Sequence, residues 1–594
     1  MLINPSSFPI GQSTPMLQLL IPSTIKQLLA AMGFICLSVT LTTAAYAELP
    51  TPIQTTLIKA GLDSSNLSLV IVPVNDQTTS QHSQSGDSTK KALASQLPNS
   101  RLPAAITPSA SPTTIMPDAS TLSDPQLSRE SIATAPSLST VQPLNAASPL
   151  TTGIYHNANT LRTPASTMKL IPTFIALDML GADFVWQTKV YYSGLRMGAD
   201  LFGDLIIQGS GDPKLTEERL RQLLYQVKQT GIRHIHGNII VDSSVFRGVS
   251  KDTAAFDNDP LRPYNASPDG LLVNFSSLEI RSFPTPDGRA QLLYFPKLAD
   301  YKLPDSIAQR SASCGSADIS LAPQWGPDSL SFGARLPSSC GEHTFYVSYP
   351  DAKDFAARAI SSLWSQLGNT VSGSVLTQTV PLSASRLSRP ISPLPIASYP
   401  SRSLADTIHD INHFSNNVMT EQLTLTLPLY AHVTQPSVQS ANTSLYYQQG
   451  VSDYPLALTT LDHWWRTHLT TPPPYLTNGS GLCRDCTLSA ANLAELLEFA
   501  YHHPDFETYV DSLGVAGISG TIKAHGSRLP TSRAIGRAWI KTGTLNNVIS
   551  MAGYVKGLSG QDYVVVAIIN TPTALNVQSA RYLLDTTLDW TAQH

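Results

Sequence analysis

Three short motifs in this chain combine residue types that together could carry out acyl transfer. Ser166 lies three residues before Lys169, Ser415 lies two residues before Asn417, and a later run reads Lys541-Thr542-Gly543-Thr544. A serine hydroxyl beside an uncharged lysine amine has its own general base and becomes a nucleophile. A second serine can pass a proton to a leaving amine, and a second lysine can bind a carboxylate. The motifs therefore predict a serine acyl-transfer site.

Neither of the first two motifs is specific alone. Serine three residues before lysine also occurs at Ser23/Lys26 and Ser88/Lys91, and serine two residues before asparagine at Ser64/Asn66 and Ser440/Asn442. Only Ser166 opens a predicted amphipathic helix, over residues 164–181, and residues three apart on a helix share one face. The apolar face predicted for this helix consists of Leu170, Phe174, Ile175, Leu177 and Leu180.

The third motif occurs once and ends a predicted β-strand. Glycine at position 543 lets a ligand backbone approach closely. We expect Lys541 to bind a substrate carboxylate and the amides of Thr544 and Ser166 to form an oxyanion hole. Asn417 is expected to hold Lys169 or a substrate amide.

The elements that must position these motifs follow from hydrophobic periodicity and turn residues. The predicted strands cover 67–74, 153–156, 188–193, 201–208, 237–242, 537–541, 548–556 and 562–570, with a strand-rich region at 250–350. The predicted helices cover part of 50–66, then 164–181, 216–228, 351–368, 402–430, 455–468, 487–502 and 574–591.

Residues 76–150 interrupt this pattern, because they are mostly Ser, Thr, Pro, Ala and Gln without hydrophobic periodicity. Such a segment buries too little apolar surface to offset its chain entropy, so we predict a disordered insertion. The strands on either side of it are expected to pair as neighbours.

Length and composition set the broad class. The 594 residues exceed one ordinary core, and 42% are hydrophobic, so several domains are expected. Only 13% are charged, the net charge is −4, and no long basic run favours nucleic acid. Lys26, the apolar run 28–39 and Ala45-Tyr46-Ala47 predict a signal peptide over 1–47 and a periplasmic protein. An uncleaved anchor is the alternative, and Met16 is an alternative start.

Cys36 lies in the predicted signal, and four cysteines follow it. These are Cys314, Cys340, Cys483 and Cys486. An even number in an exported chain predicts disulfides, and proximity favours Cys314–Cys340 and Cys483–Cys486 among three pairings. The Cys483–Cys486 motif could instead be redox-active or half of a zinc site, although no second such motif supports zinc.

The motif order and spacing resemble the class C low-molecular-mass penicillin-binding proteins, the D-Ala-D-Ala carboxypeptidase/endopeptidase family. The first gap is 249 residues (415 − 166) and the second is 126 (541 − 415). The first gap contains Gly209-Ser210-Gly211-Asp212-Pro213, Gly237-Asn238-Ile239-Ile240-Val241-Asp242 and Tyr264-Asn265-Ala266, and Asn478-Gly479-Ser480-Gly481-Leu482-Cys483-Arg484 precedes the third motif.

The resemblance implies an α/β (α+β) fold. A transpeptidase/β-lactamase-like domain with an antiparallel sheet flanked by helices would cover 48–75, 151–186 and 390–594. Two nested, β-rich domains would be inserted in it. Domain II would cover 187–248 and 345–389, and domain III would cover 249–344.

The resemblance also implies a serine DD-peptidase without a cofactor or metal. Its nucleophile would be Ser166 and its base Lys169, with Ser415, Asn417 and Lys541 as partners and Thr542, Gly543 and Thr544 in the substrate-binding strand. Peptidoglycan stem peptides and β-lactam antibiotics are the implied ligands. Competing interpretations are a β-lactamase or esterase on the same scaffold and a non-catalytic peptidoglycan-binding protein. Peripheral membrane association, oligomeric state and the balance of carboxypeptidase and endopeptidase activity stay open.

Recognition of the diaminopimelate group would fall to Arg484 and Asn546, with an acidic contact from Asp242. The chain departs from the family pattern at Asn478 and Asn416, where relatives carry aspartate. A Cys483–Cys486 bridge beside Arg484 would stiffen that rim.

Overall fold

The computed structural model describes residues 49–74, 100–107, 147–314, 321–380, 382, 389–431 and 444–594. The predicted signal peptide and most of the segment 76–150 lie outside these residues. Among the described residues, no helix is both long enough and apolar enough to cross a bilayer.

The described residues fold into β-strands and α-helices. The strands are β1 (Leu67–Val74), β2 (Ile154–His156), β3 (Gln187–Met197), β4 (Asp200–Gln208), β5 (His234–Ile235), β6 (Ile239–Asp242), β7 (Ser277–Pro284), β8 (Arg289–Phe295), β9 (Ser306–Arg310), β10 (Pro323–Trp325), β11 (Leu330–Phe332), β12 (Leu336–Pro337), β13 (His343–Ser348), β14 (Thr370–Val371), β15 (Val375–Gln378), β16 (Ala397–Pro400), β17 (Gly514–Val515), β18 (Ala538–Leu545), β19 (Val548–Lys556) and β20 (Asp562–Asn570). The α-helices are α1 (Thr51–Lys59), α2 (Leu170–Leu180), α3 (Glu217–Gln229), α4 (Ala352–Gln366), α5 (Leu404–Phe414), α6 (Asn417–Tyr430), α7 (Tyr454–His468), α8 (Ala490–Tyr501), α9 (Phe506–Asp511), α10 (His525–Arg528) and α11 (Val577–Gln593).

An antiparallel sheet in the order β17-β18-β19-β20-β1-β2 is formed by residues of the predicted catalytic domain. Alternate residues of β20 point to opposite faces, as the two-residue period of a strand requires. Val564 and Val566 join the core that contains α2, α5 and α8, whereas Val565 and Ala567 join the core that contains α1 and α11. Helices therefore cover both faces, as the family resemblance implied.

Two larger sheets and the two-stranded sheet β10-β11 lie between α2 and α5 in the chain. One of the two larger sheets is mixed and has the order β14-β5-β4-β3-β16, with β6 paired to both β4 and β15. The other has the order β12-β9-β8-β7-β13. Apolar residues of both sheets and of α3 and α4 meet in one continuous core. The two larger sheets of the inserted part thus share apolar packing.

Strand pairing moves two of the predicted domain boundaries. β16 pairs with β3, so residues 397–400 belong to the mixed inserted sheet and not to the catalytic domain predicted from 390. β13 pairs with β7, so residues 345–348 belong to the second inserted sheet and not to domain II. The hydrophobic pattern predicts that a segment is a strand. It does not predict which strand it pairs with, because that depends on contacts between residues far apart in the sequence.

The helix predicted over 402–430 is two helices. α5 ends at Phe414, Ser415 adopts a left-handed backbone with φ 63° and ψ 35°, and α6 starts at Asn417. A non-glycine residue in this conformation cannot continue an α-helix. The break exposes the Ser415 side chain between two helix ends.

Two parts of the segment 76–150 are described, residues 100–107 and 147–150, and the disorder prediction is wrong for residues 100–107. Residues 100–107 bind to the catalytic domain, and we name them the clip. Leu102 is buried in the core beside α2, and the amides of Arg101 and Leu102 donate to the carboxylate of Asp562. The side chain of Lys556 donates to the carbonyl of Leu102 at 2.9 Å. Composition predicts that this segment buries too little apolar surface to be ordered, but one buried leucine with polar partners anchors residues 100–107.

The strands that flank the low-complexity segment do pair. β2 runs antiparallel to β1 in the catalytic sheet, with Val70 opposite Tyr155. This part of the sequence prediction is confirmed.

Candidate active site

Ser166 lies on a short 3-10 turn, Ala165–Lys169, that leads directly into α2. Lys169 Nζ lies 3.0 Å from Ser166 Oγ. α2 fixes this turn, because its residues Leu170–Leu177 are buried on all sides and not only on the predicted apolar face. The serine itself stays partly exposed.

The preceding residue, Ala165, has a φ of 52°, which an L-residue adopts at a cost of roughly 1–2 kcal/mol. The loop around Gly481 closes over it. A Cβ atom at position 481 would lie 2.1 Å from the Ala165 carbonyl oxygen, so only glycine fits there. Close packing of the Asn478–Arg484 loop therefore holds the nucleophile turn.

Lys169 has two other hydrogen-bond partners, both of which can only accept. They are Asn417 Oδ1, at 2.6 Å, and the carbonyl oxygen of Ser480. The orientation of the Asn417 amide is supported by its Nδ2, which donates to the carbonyl of Tyr264 at 3.0 Å. The Lys169 side chain is thus held by α6 and by the 478–484 loop, in addition to its own turn.

Lys541 lies at the start of the third motif and is completely buried. Its Nζ donates to Ser415 Oγ and to the Thr542 carbonyl, both at 2.8 Å. Burial lowers the pKa of Lys541 to about 7. The bond to Ser415 joins the second and third motifs.

The pKa of Lys169 lies well below its usual range. Burial is the main cause, and the positive charge of Lys541 adds to it. The charge of Glu421 opposes the change, and that of Lys251 supports it. A lysine in this environment is readily neutral, which is the state a general base needs.

β18 runs past the nucleophile. A Cβ atom at Gly543 would lie 2.8 Å from the Ser166 amide nitrogen and 2.4 Å from Ser550 Oγ. Thr542 Oγ1 donates to Thr521 Oγ1 at 2.7 Å, and Thr544 is exposed. The strand therefore forms one wall of a site whose other walls are the Ser166 turn and the 478–484 loop.

The two departures from the family pattern have local structural roles. Asn416 is the N-cap of α6, and its Oδ1 accepts from the Met419 amide at 3.0 Å. Asn478 Oδ1 accepts from the amides of Ser480 and Gly481. Asparagine and aspartate cap helices and turns with the same side-chain oxygen, so either residue fits at both positions.

The residues predicted to recognise diaminopimelate lie in different environments. Arg484 is exposed, and its guanidinium lies over the Phe256 ring at 4.6 Å from the centroid. Asn546 lies in the turn after β18 and is also exposed. Their predicted role stays a prediction.

Asp242 is only 1% exposed, and its carboxylate accepts hydrogen bonds from the Ser244 amide and the Tyr446 hydroxyl. Burial raises its pKa. These contacts within the protein contradict the expectation that Asp242 offers a free carboxylate to substrate. A strand-end aspartate in the sequence does not show whether its side chain faces solvent or a buried tyrosine.

The sulfur atoms pair as sequence proximity favoured. They are 2.15 Å apart for Cys314 and Cys340 and 2.01 Å apart for Cys483 and Cys486. Cys483 and Cys486, with Asp485, form a group whose spacing suits a metal ion. Their sulfurs contact each other instead, and this argues against the zinc interpretation.

Sequence reasoning missed two charged residues and one serine that surround the base. These are Glu421, Lys251 and Ser480. One signal was available, because Glu421 follows Asn417 by four residues and therefore shares its helix face.

The sequence pattern that defines the D-Ala-D-Ala carboxypeptidase 3 (S13) family matches residues 119–589. The chain belongs to this family. The S13 chain is therefore a serine-type D-Ala-D-Ala carboxypeptidase that acts on peptidoglycan, as its motif order predicted.

Curated relatives of this S13 peptidase carry the same activity in their names. It is 24% identical over 435 residues to the D-alanyl-D-alanine carboxypeptidase DacB of Haemophilus influenzae, covering 70% of this chain and 82% of that one. It is 25% identical over 432 residues to the D-alanyl-D-alanine carboxypeptidase of Actinomadura sp. strain R39, covering 70% of this chain and 75% of that one.

Solved structures agree on the fold. The crystal structure of penicillin-binding protein 4 (dacB) from Haemophilus influenzae superposes on the S13 peptidase with a TM-score of 0.57 at 20% identity, covering 73% of this chain and 90% of that one. A second crystal structure of that protein, in complex with a β-lactam, has a TM-score of 0.52 at 20% identity and covers 73% of this chain and 93% of that one. The predicted fold class is confirmed.

Proposed function

We propose that this peptidase works in the periplasm, where an acyl-enzyme on Ser166 lets it hydrolyse both terminal D-Ala-D-Ala bonds and D-Ala–diaminopimelate cross-links. The names of the relatives support the carboxypeptidase part, and the residues around Lys169 support the assignment of roles. The endopeptidase part rests on the family resemblance.

The hydrogen bonds of Lys169 carry the proposal. A neutral amine has two N–H groups and one lone pair. The Asn417 Oδ1 and the Ser480 carbonyl can only accept, so they take the two N–H groups. The lone pair is then left for the remaining neighbour, the hydroxyl of Ser166 at 3.0 Å. This is the arrangement in which the amine removes the serine proton.

Acylation then proceeds in one sequence of bond changes. Ser166 Oγ attacks the carbonyl carbon of the D-Ala, and its proton passes to Lys169 Nζ. The developing oxyanion is stabilised by the amides of Ser166 and Thr544. The C–N bond breaks, and the leaving amine receives a proton through Ser415. The products of this step are an ester on Ser166 and the leaving group, which is either free D-Ala or the free amine of the cross-bridge.

Deacylation reverses the proton path. Water attacks the ester carbonyl, Lys169 accepts a proton from this water, and Ser166 Oγ regains its proton as the ester bond breaks. Lys541 holds Ser415 in place and binds the substrate's terminal carboxylate. Both products leave as ordinary acid and amine.

Export is part of the proposal and rests on the predicted signal peptide. In an oxidising compartment the sulfur pairs Cys314–Cys340 and Cys483–Cys486 would form disulfides. Peptide mapping without reductant, of protein purified from the periplasm, would identify both linked pairs.

The assignment of nucleophile and base is tested with labelled penicillin. We expect the wild-type protein to form one covalent adduct, located on Ser166 by peptide mapping. Ser166→Ala should form none, and Lys169→Ala should be acylated at least about 10⁴-fold more slowly while it unfolds at the temperature of the wild type. Near-normal labelling of Lys169→Ala would reject the base assignment.

The substrate is tested by digestion of purified peptidoglycan with product analysis. Release of free D-Ala measures carboxypeptidase activity, and loss of cross-linked dimers measures endopeptidase activity. If neither product appears and the penicillin adduct turns over rapidly, a β-lactamase on the same scaffold becomes the better description.

A further inference from the structure

A carboxylate lies behind the general base. Glu421, on α6, is 1% exposed and follows Asn417 by four residues, so both side chains project from one face of that helix. Asn417 contacts Lys169 directly, whereas Glu421 reaches it through Ser480. A buried carboxylate this close to a catalytic amine needs a reason, because burying a charge is costly.

Ser480 connects Glu421 to the base. Its hydroxyl donates to Glu421 Oε1 at 2.9 Å, and its carbonyl oxygen accepts from Lys169 Nζ. The Glu421 carboxylate therefore holds Ser480 in place, and the Ser480 carbonyl in turn holds Lys169. Tyr454 on α7 adds a hydrogen bond from its hydroxyl to Glu421 Oε2 at 3.1 Å.

The counter-ion of Glu421 comes from the inserted part of the chain. Lys251 Nζ lies 2.9 Å from both oxygens of the Glu421 carboxylate. Its side chain keeps 30% exposure, so this cation reaches inward from the surface. The backbone amide of Lys251 also donates to Ser267 Oγ at 3.2 Å.

Apolar packing holds the segment that carries Lys251 against the catalytic helices. Val245, Phe246 and Val249 form one cluster with Leu425 of α6 and Ala457 of α7. The position of Lys251 is thus set by contacts between the inserted part and the catalytic domain.

Three charged side chains from three elements act on Lys169. They are Lys541 on β18, Glu421 on α6 and Lys251 in the inserted part. Lys541 and Lys251 favour the neutral amine, and Glu421 favours the charged one. Because Lys251 is paired with Glu421, it offsets the one carboxylate among these groups.

We propose that Glu421 and Lys251 are positioning residues of the acylation reaction, Glu421 holding Lys169 through Ser480 and Lys251 cancelling the carboxylate charge. The inserted part then contributes to catalysis as well as to the fold. This inference rests on the proposed role of Lys169 as the general base. Neither residue contacts the reacting atoms.

If Lys251 and Glu421 have this role, removing each one should shift the pH profile of acylation in opposite directions. The test measures the rate constant of acylation by a fluorescent penicillin from about pH 5 to pH 10, where the acid limb reports ionisation of the base. In Lys251→Met the uncompensated carboxylate favours charged Lys169, so the limb moves up by about one pH unit. At a pH below the limb this is about a tenfold loss, which is recovered at high pH.

Removing the carboxylate should have the reverse effect on the limb. Glu421→Gln keeps an oxygen that accepts from Ser480 and leaves Lys251 unopposed, so the limb moves down by about one pH unit. The double variant Lys251→Met/Glu421→Gln removes both charges and should return the limb to within about 0.3 units of the wild type.

A matched control removes the same charge from the same part of the chain. Lys302 forms an exposed pair with Asp328 at 3.5 Å, and Lys302→Met should leave the profile unchanged. Thermal unfolding of every variant identifies one that misfolds. The other single variant, compared with the double variant, then still tests the pair, because the inference requires the acid limbs of these two to differ by about one pH unit.

Three outcomes are decisive. Opposite shifts with restoration in the double variant support the inference. Equal rate losses at all pH values in both single variants, or two unchanged profiles, overturn it, because they leave the pair a structural role only. If the wild type itself forms no adduct on Ser166, it is the proposed function that fails.

Discussion

Gly543 and Ser166 approach so closely that a Cβ atom on residue 543 would lie 2.8 Å from the Ser166 amide nitrogen. These residues belong to motifs at opposite ends of the catalytic sequence. The glycine therefore allows the substrate-binding strand to reach the backbone of the nucleophile.

Gly543→Ala should impair acylation. The added methyl group would push β18 away from the Ser166 turn, and displacement by about 1 Å in a catalytic site can cost about 10²-fold in rate. We expect a loss of this size in penicillin acylation at Ser166. An alanine variant at Gly326, where the nearest atom is 3.3 Å away, serves as the control. A Gly543→Ala enzyme with the wild-type rate would contradict the close approach.

The stability of Lys541→Met should depend on pH. Burial lowers the pKa of Lys541 from 10.5 to about 7, so between these values the unfolded chain binds more protons than the folded one. The free energy of unfolding contributed by this residue therefore rises with pH across that window. At pH 6 we expect Lys541→Met to be more stable than the wild type, by on the order of 2 kcal/mol.

This advantage should shrink as the pH approaches about 10, where the wild-type lysine is neutral in the folded state and becomes neutral in the unfolded one. Denaturant unfolding at a series of pH values measures the difference. A difference that stays constant from pH 6 to pH 10 would show that Lys541 does not titrate in this window.

Asn416 should tolerate aspartate and not alanine. Its Oδ1 caps α6 by accepting from the Met419 amide at 3.0 Å. Asn416→Ala removes this bond, and we expect about 1 kcal/mol lower free energy of unfolding. Asn416→Asp keeps the bond and adds a negative charge at a helix N-terminus, so it should match or slightly exceed the wild type. Equal losses in both variants would argue against the capping role.

The clip should matter for stability and not for catalysis. Leu102→Ala removes a side chain that is 4% exposed and should lower the free energy of unfolding by about 2–3 kcal/mol. Lys556, which binds the clip, lies five residues along β19 from Met551, a separation of roughly 17 Å. Met551 is the residue of β19 that pairs with Thr542 of the third motif. Penicillin acylation of folded Leu102→Ala should therefore equal that of the wild type.

Ile106→Ala is the matched control for the clip, because Ile106 is 41% exposed, and its effect should stay within about 0.5 kcal/mol. Deletion of 76–150 should also destabilise the protein, since it removes residues 100–107. A Leu102→Ala protein as stable as the wild type would return this segment to the disordered interpretation.

Local patterns predicted much of the catalytic sheet. β1, β19 and β20 have the predicted bounds, because each is a run of residues suited to a buried strand between turn residues. The helix break at Ser415 was not predicted, because the apolar pattern continues through it. Ser415, whose backbone is left-handed there, accepts a hydrogen bond from the distant residue Lys541, which the local pattern does not show.

The sequence by itself determined the class of chemistry of this protein, and residue type and spacing alone predicted the residues proposed to carry it, Ser166, Lys169, Ser415, Asn417 and Lys541. Only the tertiary structure decided what surrounds them. Burial decides the charge of a lysine, and burial depends on contacts between distant residues. For the same reason the pairing of Lys251 with Glu421, 170 residues later, and the burial of Asp242 away from solvent emerge only in the folded chain.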